Sequence, residues 1–156
     1  MPDPRGSGAA AVSIAQDLHD RLRAALPPQV PVLLPEQFNV PLDAAPLDVQ
    51  GRPAVGKGER GLGLYLQQHP QGYVQVYDPQ PIMTTSGMYD EHWATVDAIA
   101  ATDAAADALL VLVRRTLGGT PRTGGRTKVT TPPRITREPG SVRISIQFSV
   151  RTAHPR

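Results

Sequence analysis

The chain has 156 residues, a net charge of +2, 17 prolines, 14 glycines and no cysteine. This length predicts a single domain over 1–156 with a core that needs no disulfide or metal, and the cysteine count excludes disulfide frameworks, Cys-ligated zinc and thiol nucleophiles. The N-terminus lacks a continuous apolar segment, and the longest apolar stretch, 104–113, is interrupted by Asp107 and is far shorter than the roughly 20 residues of a membrane span. We therefore expect a soluble, intracellular protein.

Residues 8–26 predict an amphipathic helix. Apolar residues recur there at helical spacing: Ile14, Leu18, Leu22 and Ala25. Pro27 and Pro28 follow, and proline cannot continue the helical hydrogen-bond ladder. The helix is therefore expected to end before them.

The next segment is dominated by proline and glycine. A short edge strand is predicted from four apolar residues, Val30, Val32, Leu33 and Leu34, and Pro31 and Pro35 limit it. We expect 36–70 to be a long loop region, in which the alternation of leucine at 62–66 leaves a short strand possible.

Two strands are predicted in the middle of the chain, at 73–77 and 92–101, with a loop over 79–90 between them. In the second strand, one face carries small apolar residues that leave room for a helix: Ala94, Val96, Ala98 and Ala100. Trp93 and Ile99 lie on the opposite face, which predicts that this face is also covered, for example by another subunit. Both are candidate interface residues.

A second helix is predicted from Asp103 to about Leu117. Thr102 and Asp103 suit its N-terminus, Arg114 and Arg115 suit the negative end of its dipole, and Gly118 follows as a stop signal. The clearest strand is 142–151. Its apolar residues alternate strictly with polar ones, which indicates one buried and one solvated face.

Between these elements, 119–140 predicts a basic, β-hairpin-like arm. The charge of the chain is divided at about the same place: 1–113 holds 6 Lys or Arg against 13 Asp or Glu (−7), and 114–156 holds 10 against one (+9). Such a chain can stack on copies of itself or bind nucleic acid, although high-GC codon bias alone would also enrich arginine. The sequence leaves three interpretations of this arm open: a protein contact, a solvated loop or a nucleic-acid contact. Its basic residues are Arg122, Arg126, Lys128, Arg134 and Arg137.

No catalytic, cofactor or metal site is predicted. The segment 51–58 nearly matches a P-loop but has Gly58 where the Mg²⁺-binding hydroxyl should be, and 56–61 matches GxGxxG without an evident strand before it or helix after it. The cluster Asp90-Glu91-His92 is better explained as a polar turn, because neighbouring residues on a strand point to opposite faces. We expect a protein that is not an enzyme and needs no cofactor.

The order of elements resembles the tail-terminator (tail-completion) proteins of long-tailed phages. The resemblance covers 72–152 well and the N-terminal third loosely. It is carried by a strand that passes directly into a helix with a T-x-x-x-A-x-x-x-x-x-x-V-R-x-x-L-x-G pattern, and the matching residues are Thr102, Ala106, Val113, Arg114, Leu117 and Gly118 or Gly119.

The resemblance implies an α+β fold, in which a mostly antiparallel sheet of about four strands has two helices packed on one face. It also implies a structural virion protein of the tail and neck, assembled in the host cytoplasm as a homo-oligomeric ring, expected to be a hexamer. Such a ring caps the tail tube and contacts the tube protein and the head-side connector or stopper, without a membrane contact, while genomic DNA passes through without sequence-specific binding. The alternatives are a stopper, a tube subunit or a small nucleic-acid-binding accessory protein.

Overall fold

Three α-helices and seven strands make up the structure, a computed structural model that describes residues 5–52, 61–85, 89–118 and 127–153. In chain order the elements are α1 (Arg5–Ala25), β1 (Val32–Leu33), α2 (Leu62–Gln68), β2 (Tyr73–Val76), β3 (Gln80–Thr85), β4 (Tyr89–Ala100), α3 (Asp103–Leu117), β5 (Thr127–Val129), β6 (Arg134–Glu138) and β7 (Ser141–Ala153). A 3₁₀ turn, Pro35–Gln37, follows β1. Within the described ranges, no helix is long and apolar enough to cross a membrane.

The seven strands form one sheet of five rows. The rows are β1, then β2 with β3, then β4, then β7, then β5 with β6. Among these described strands, only the pair β1–β2 is parallel, and every other pair is antiparallel. The α+β class and the mostly antiparallel sheet are therefore confirmed. The predicted strand number was lower because β3 was predicted to be a loop, and β5 and β6 to be an arm outside the sheet.

The first broken row corrects the predicted loop at 79–90. Tyr73–Val76 and Gln80–Thr85 both pair with β4, which itself begins at Tyr89. Asp78 and Pro79 indicated that the strand stops, but proline is tolerated at edge positions and at breaks in the ladder, where an N–H is not needed. Here Pro79 lies at the break between the two strands, so the chain continues along β4.

The second broken row corrects the hairpin-like arm. β5 and β6 do not pair with each other; both pair with β7, and the Thr130 amide also donates to the Gln147 carbonyl at 3.0 Å. Pro132 and Pro133 fall in the interruption between β5 and β6. From Thr127 onward, the basic segment is therefore an outer row of the sheet, and residues 119–126 of the predicted arm lie outside the described residues.

Residues 62–66 are helical, so the prediction of a possible strand there is wrong. Leu62, Tyr65 and Leu66 have the i, i+3, i+4 spacing of a helix as well as the leucine alternation of a strand. Tyr65 and Leu66 are buried against the sheet. The segment is too short for its periodicity to distinguish a helix from a strand. Packing against the sheet therefore determines that it is helical.

The long helices α1 and α3 confirm the predicted pair on one face, which we call the core face. On β4 this face carries the alanines and Val96, which form one cluster with Leu18 and Leu22 of α1 and with Leu109 and Val113 of α3. The Thr102 hydroxyl accepts a hydrogen bond from the Ala105 amide at 3.2 Å and so caps α3 as expected. α1 ends at Ala25, directly before Leu26 and the two prolines.

The turn between α2 and β2 requires glycine. Gly72 has a φ of 86° there, and a Cβ added to it would lie 2.3 Å from the Ile99 carbonyl oxygen. The turn therefore brings the backbone of Gly72 against β4 so closely that no side chain fits. By contrast, Gly140 in the β6–β7 turn has a φ of 80° but open space around it.

Candidate assembly surface

The sheet face opposite α1 and α3, which we call the outer face, is only partly covered by described residues. On β4 it carries Trp93, Thr95, Asp97 and Ile99, as the register with β7 and β2 requires. Helix α2 covers one end of this face and builds a second, smaller cluster there: Leu33, Tyr65, Leu66, Tyr73 and Ile99. The Tyr65 and Tyr73 rings meet edge to face at 5.1 Å.

The two apolar candidates on β4 have different surroundings. Ile99 is 1% exposed inside the second cluster, so a segment of the same chain covers it and no second subunit is needed to explain it. Trp93 is 37% exposed, beyond the reach of that cluster. Of the two, Trp93 is the residue that a partner can reach.

A buried carboxylate lies between the covered and the open parts of the outer face. The Tyr77 hydroxyl donates to Asp97 Oδ2 at 2.8 Å, and Arg143 Nη1 lies 3.6 Å from the same oxygen. Arg143 also donates to the Tyr77 hydroxyl at 3.4 Å. Asp97 Oδ1 has no hydrogen-bond partner among the described residues. This cluster joins three rows of the sheet through side chains.

Burial dominates the ionisation of this cluster. It raises the pKa of Asp97, although the Ser145, Tyr77 and Arg143 side chains act in the opposite direction. Burial also raises the pKa of Tyr77, helped by the nearby Asp97, and raises the pKa of Tyr73 to about 12. Both tyrosines are therefore neutral near pH 7, where the Tyr77 hydroxyl is the donor to Asp97.

The open part of the outer face is polar. Thr95, Ser145 and Gln147 are half-buried in the middle rows, and the Thr130 hydroxyl donates to the Gln147 side chain at 3.0 Å. Ser149 is buried, and its hydroxyl donates to Glu91 at 2.6 Å. Hydroxyl and amide groups thus take the positions that apolar side chains occupy on the core face.

The predicted basic contact residues divide into three groups. Arg122 and Arg126 lie outside the described residues. Arg137 belongs to the core-face side of β6, where its Nε lies 3.2 Å from both carboxylate oxygens of Asp103. Lys128 and Arg134 are exposed on the outer face, and neither has an ion pair with a described residue. These two are the cations of the described arm that remain for a partner.

An apolar patch was missed in the sequence because 79–90 was predicted to be a loop. Ile82 and Met83 on β3 are 40% and 55% exposed, and Trp93 lies on the adjacent strand. The β3–β4 register is irregular between Pro81 and Met83. We define the β3 patch as Ile82, Met83 and Trp93. The sequence indicates this patch only through large apolar residues at the edge of a strand.

The charge division of the sequence becomes a division across the sheet. No Lys or Arg occurs between 61 and 113, the segment that supplies α2, β2, β3, β4 and nearly all of α3. The other two rows, β7 and β5 with β6, contain six charged residues, five of them basic: Lys128, Arg134, Arg137, Glu138, Arg143 and Arg151. The β5–β6 edge of the sheet is therefore basic, whereas β1, β2 and β3 on the other side carry no charged residue and the acids of that half, Asp90, Glu91 and Asp97, lie on β4.

The described residues offer no metal-binding arrangement. They contain no group of three His, Cys, Asp or Glu placed to hold a metal ion. Asp90, Glu91 and His92 lie on β4 rather than in a turn, so that prediction is wrong, and they alternate between faces. Thr84 donates to Asp90 at 2.6 Å, and His92 is buried.

The glycine-rich segments give no nucleotide site in the described part of the chain. Residues 53–60, which hold most of both motifs, lie outside it. A helix does follow Gly61, contrary to the prediction, but α2 has only seven residues. The Asp48 carboxylate instead organises the turn at Gly51 by accepting from the Gln50 and Arg52 amides.

Comparisons with known proteins leave the family open. No protein-family model matches the chain, and no curated protein matches it. Six chains of solved structures are similar, among them a chain of "Virion of native gene transfer agent (GTA) particle", with 18% identity, a TM-score of 0.47, and coverage of 94% of this chain and 97% of that chain. A likeness at this level shows neither a shared family nor a shared function.

Proposed function

We propose that this chain is a structural virion subunit that assembles into a ring through unlike surfaces. The observation that carries the proposal is the placement of charge: the β5–β6 edge of the sheet is basic, whereas the opposite half contains no Lys or Arg and carries its acids on β4. Subunits with two different complementary surfaces associate head to tail, and a head-to-tail contact closes into a ring when its rotation permits. The partly covered, polar outer face extends across both halves and offers further room for a neighbour.

Within that class, we propose the tail terminator. The elements that carried the resemblance, β4 passing through Thr102 into α3 and the C-terminal strand β7, are present with the expected two helices on the core face. On this proposal, the ring, a hexamer, caps the tail tube and joins it to the head-side connector or stopper. The virion would be the place where the ring acts.

Two alternative functions would use the same surface to bind different partners. A stopper or tube subunit would use the same edges with another partner. A nucleic-acid-binding accessory protein is favoured by one observation, the exposure of Lys128 and Arg134 on the polar outer face. Phosphate contacts by such cations would make binding strongly dependent on salt.

The decisive experiment is the mass of the purified chain in solution, measured by light scattering at low and moderate salt with and without tail-tube protein. We expect a ring, or a monomer that becomes a ring when tube protein is added. A monomer that ignores tube protein and binds duplex DNA in a salt-dependent manner would instead establish the nucleic-acid alternative. A ring that binds another neck protein but not the tube would indicate a stopper.

The basic edge can be tested separately. We expect Lys128→Glu with Arg134→Glu to weaken assembly without changing the far-UV circular dichroism spectrum, since both side chains are exposed. The control is Arg114→Gln with Arg115→Gln, which removes two exposed cations from α3, an element outside the sheet. Normal rings from the first variant would contradict the assigned edge.

A further inference from the structure

We propose that residues 38–49, which we call the apolar loop, dock on the basic β5–β6 edge of a second copy of this chain. This inference rests on the proposed ring function and specifies the contact that joins neighbouring subunits. The apolar loop follows β1 and the 3₁₀ turn at one side of the sheet, and the basic edge lies at the other side. Each copy would use its loop toward one neighbour and its basic edge toward the other.

Large exposed apolar side chains are concentrated in the apolar loop. Of the ten that the described ranges expose, five belong to this segment and are between 44% and 97% exposed: Phe38, Val40, Leu42, Leu47 and Val49. Single exposed apolar residues are ordinary on a protein surface, but a concentration of them marks a contact with another molecule. The apolar loop is therefore a docking surface rather than a solvated connection.

Hydrogen bonds fix the apolar loop to itself and to the body of the chain. The Leu42 amide donates to the Asn39 carbonyl at 3.0 Å, which forms a turn. The Gln68 side chain of α2 donates to the Ala45 carbonyl at 3.1 Å, and Pro46 is buried. A surface that is already ordered loses little conformational freedom when a partner binds, so its apolar area contributes more fully to binding.

The charges of the two surfaces are opposite and unpaired. Glu36 and Asp43 are exposed, and neither has an ion pair with a described residue; no Lys or Arg occurs in 24–51. On the basic edge, Lys128 and Arg134 are exposed and are likewise without an ion pair in the described chain. Each surface therefore attracts the other kind and repels its own, which favours a head-to-tail contact over a two-fold dimer.

The two surfaces lie at the same level of the sheet. One row of paired residues crosses it from β1 to β6: Val32, Val74, Ala98, Ile144 and Ile135. The apolar loop begins shortly after β1, so it leaves the sheet opposite β6. Two copies placed side by side in the same orientation bring the loop of one beside β6 of the next, and a small rotation per subunit closes a ring.

The basic edge offers surface that suits an apolar, acidic loop. Ile135 is exposed there, and the long hydrocarbon chains of Lys128 and Arg134 can cover apolar groups while their charged ends reach acids. The guanidinium of an arginine also stacks on aromatic rings such as that of Phe38. Asp107 of α3 lies near Ile135 on the core-face side, where it would repel an acidic loop. The contact is therefore assigned to the outer-face side of the edge.

The chain contains no cysteine, so introduced cysteines report on this contact alone. Val49→Cys marks the apolar loop, Thr136→Cys marks β6, and Val111→Cys marks an exposed site on α3 as the control. With a short bis-maleimide, we expect no product from any single variant. Mixing Val49→Cys with Thr136→Cys should give a covalent dimer, whereas mixing Val111→Cys with Thr136→Cys should not. A chain carrying both Val49→Cys and Thr136→Cys should give a ladder of covalent multimers.

The cross-links separate this contact from the ring function. Self-cross-linking of the Val49→Cys variant would overturn the proposal in favour of a two-fold contact between loops. Rings in light scattering without a product between loop and edge would show that the ring uses another surface. Cross-links between loop and edge in a chain that forms open chains but no closed ring would support the contact and overturn the ring. A monomer that gives no product, with or without tube protein, would overturn both.

A matched pair of substitutions gives a second test. Val40 and Val111 are similarly exposed, at 44% and 46%, and only Val40 lies in the apolar loop. Val40→Lys places a cation opposite the basic edge, so it should raise the concentration needed for assembly by about tenfold or more, whereas Val111→Lys should change it by less than about twofold. Both variants should keep the far-UV circular dichroism spectrum of the parent chain. Equal effects of the two substitutions would overturn the proposal.

Charge exchange tests whether the loop meets the β6 edge in particular. Arg134→Glu alone should weaken assembly because it places an acid opposite an acidic loop. Combined with Val40→Lys, it should recover much of the loss of either single variant, since the two new charges attract each other across the contact. Losses that simply add in the double variant would overturn the pairing of these two surfaces.

Discussion

The two faces of the same sheet are built from the same strands but serve different purposes. On the core face, α1 and α3 cover β4 and β7 with one continuous apolar cluster. On the outer face, the apolar cluster has five buried members at one end, followed by the Asp97 group and then by half-buried polar residues. The comparison indicates that folding stability comes mainly from one face, which leaves much of the other available for contacts.

Strand β7 shows the difference within one element. Ile144, Ile146 and Phe148 are buried on the core face, while Arg143, Ser145 and Gln147 alternate with them on the outer face. Since the period of a strand is two residues, the two faces can evolve independently. Substitutions on each face should therefore have effects of different size and kind.

The largest expected effect belongs to the core face. Phe148 is fully buried beneath the helices. Phe148→Ala should lower the free energy of unfolding by about 3–5 kcal/mol, because it removes apolar burial and leaves a cavity. Chemical denaturation followed by circular dichroism measures the loss, and a change below about 1 kcal/mol would contradict the assigned core.

Ile99 tests whether the smaller cluster of the outer face also stabilises the monomer. Ile99→Ala should cost about 2–3 kcal/mol, at the lower end for buried aliphatic residues, since a small cluster near the surface can relax around the cavity. The same denaturation experiment checks it. If the variant unfolded like the parent chain but assembled poorly, Ile99 would be an intersubunit contact, as the sequence had predicted.

The outer face contains a buried ionisable group, Asp97, whose contribution to folding stability depends on pH. Its pKa is raised by burial, so the folded state binds a proton more tightly than the unfolded state. The contribution of this carboxyl to stability therefore falls as pH rises from its ordinary pKa through its raised folded value. Asp97→Asn keeps an acceptor for the Tyr77 hydroxyl and lacks this titration, although it also removes the negative partner of Arg143.

The measurement is urea denaturation of both chains from about pH 3.5, near the ordinary pKa of an aspartate, to about pH 8. We expect the stability of the parent chain relative to Asp97→Asn to decline as pH rises across that window. The far-UV circular dichroism spectra of the two chains should agree at each pH, which is the control for an unchanged fold. A stability difference that is constant with pH would show that Asp97 ionises in the folded chain as it does in the unfolded one.

The smallest effect is expected at the exposed cations of the outer face. Lys128→Gln with Arg134→Gln should change the free energy of unfolding by less than about 0.5 kcal/mol, as exposed substitutions away from packed features usually do. The melting temperature of the monomer measures this, and assembly is measured separately. A large loss of stability would mean that these cations serve the fold rather than a partner.

Errors in the sequence-based prediction have a common physical origin. The segments 62–66 and 79–90 and the arm around Pro132-Pro133 were all short or rich in proline, and each was assigned from local preference. In the structure, α2 is held by the second cluster, whereas β3, β5 and β6 are held by pairing with long central strands. Contacts distant in sequence can override weak local preference, and a single sequence does not display them.

Local patterns were sufficient to predict α1, α3, β4 and β7, because each is a long segment whose apolar residues repeat with the period of its structure. In addition, Pro27-Pro28 mark the end of α1 and Thr102 marks the beginning of α3. They also established the charge division and the two faces of β4. The folded chain was needed to show that α2 covers Ile99, that Arg137 pairs with Asp103, and that the basic segment forms an outer row. These features depend on which distant segments meet, and that is set by packing and strand pairing rather than by local periodicity.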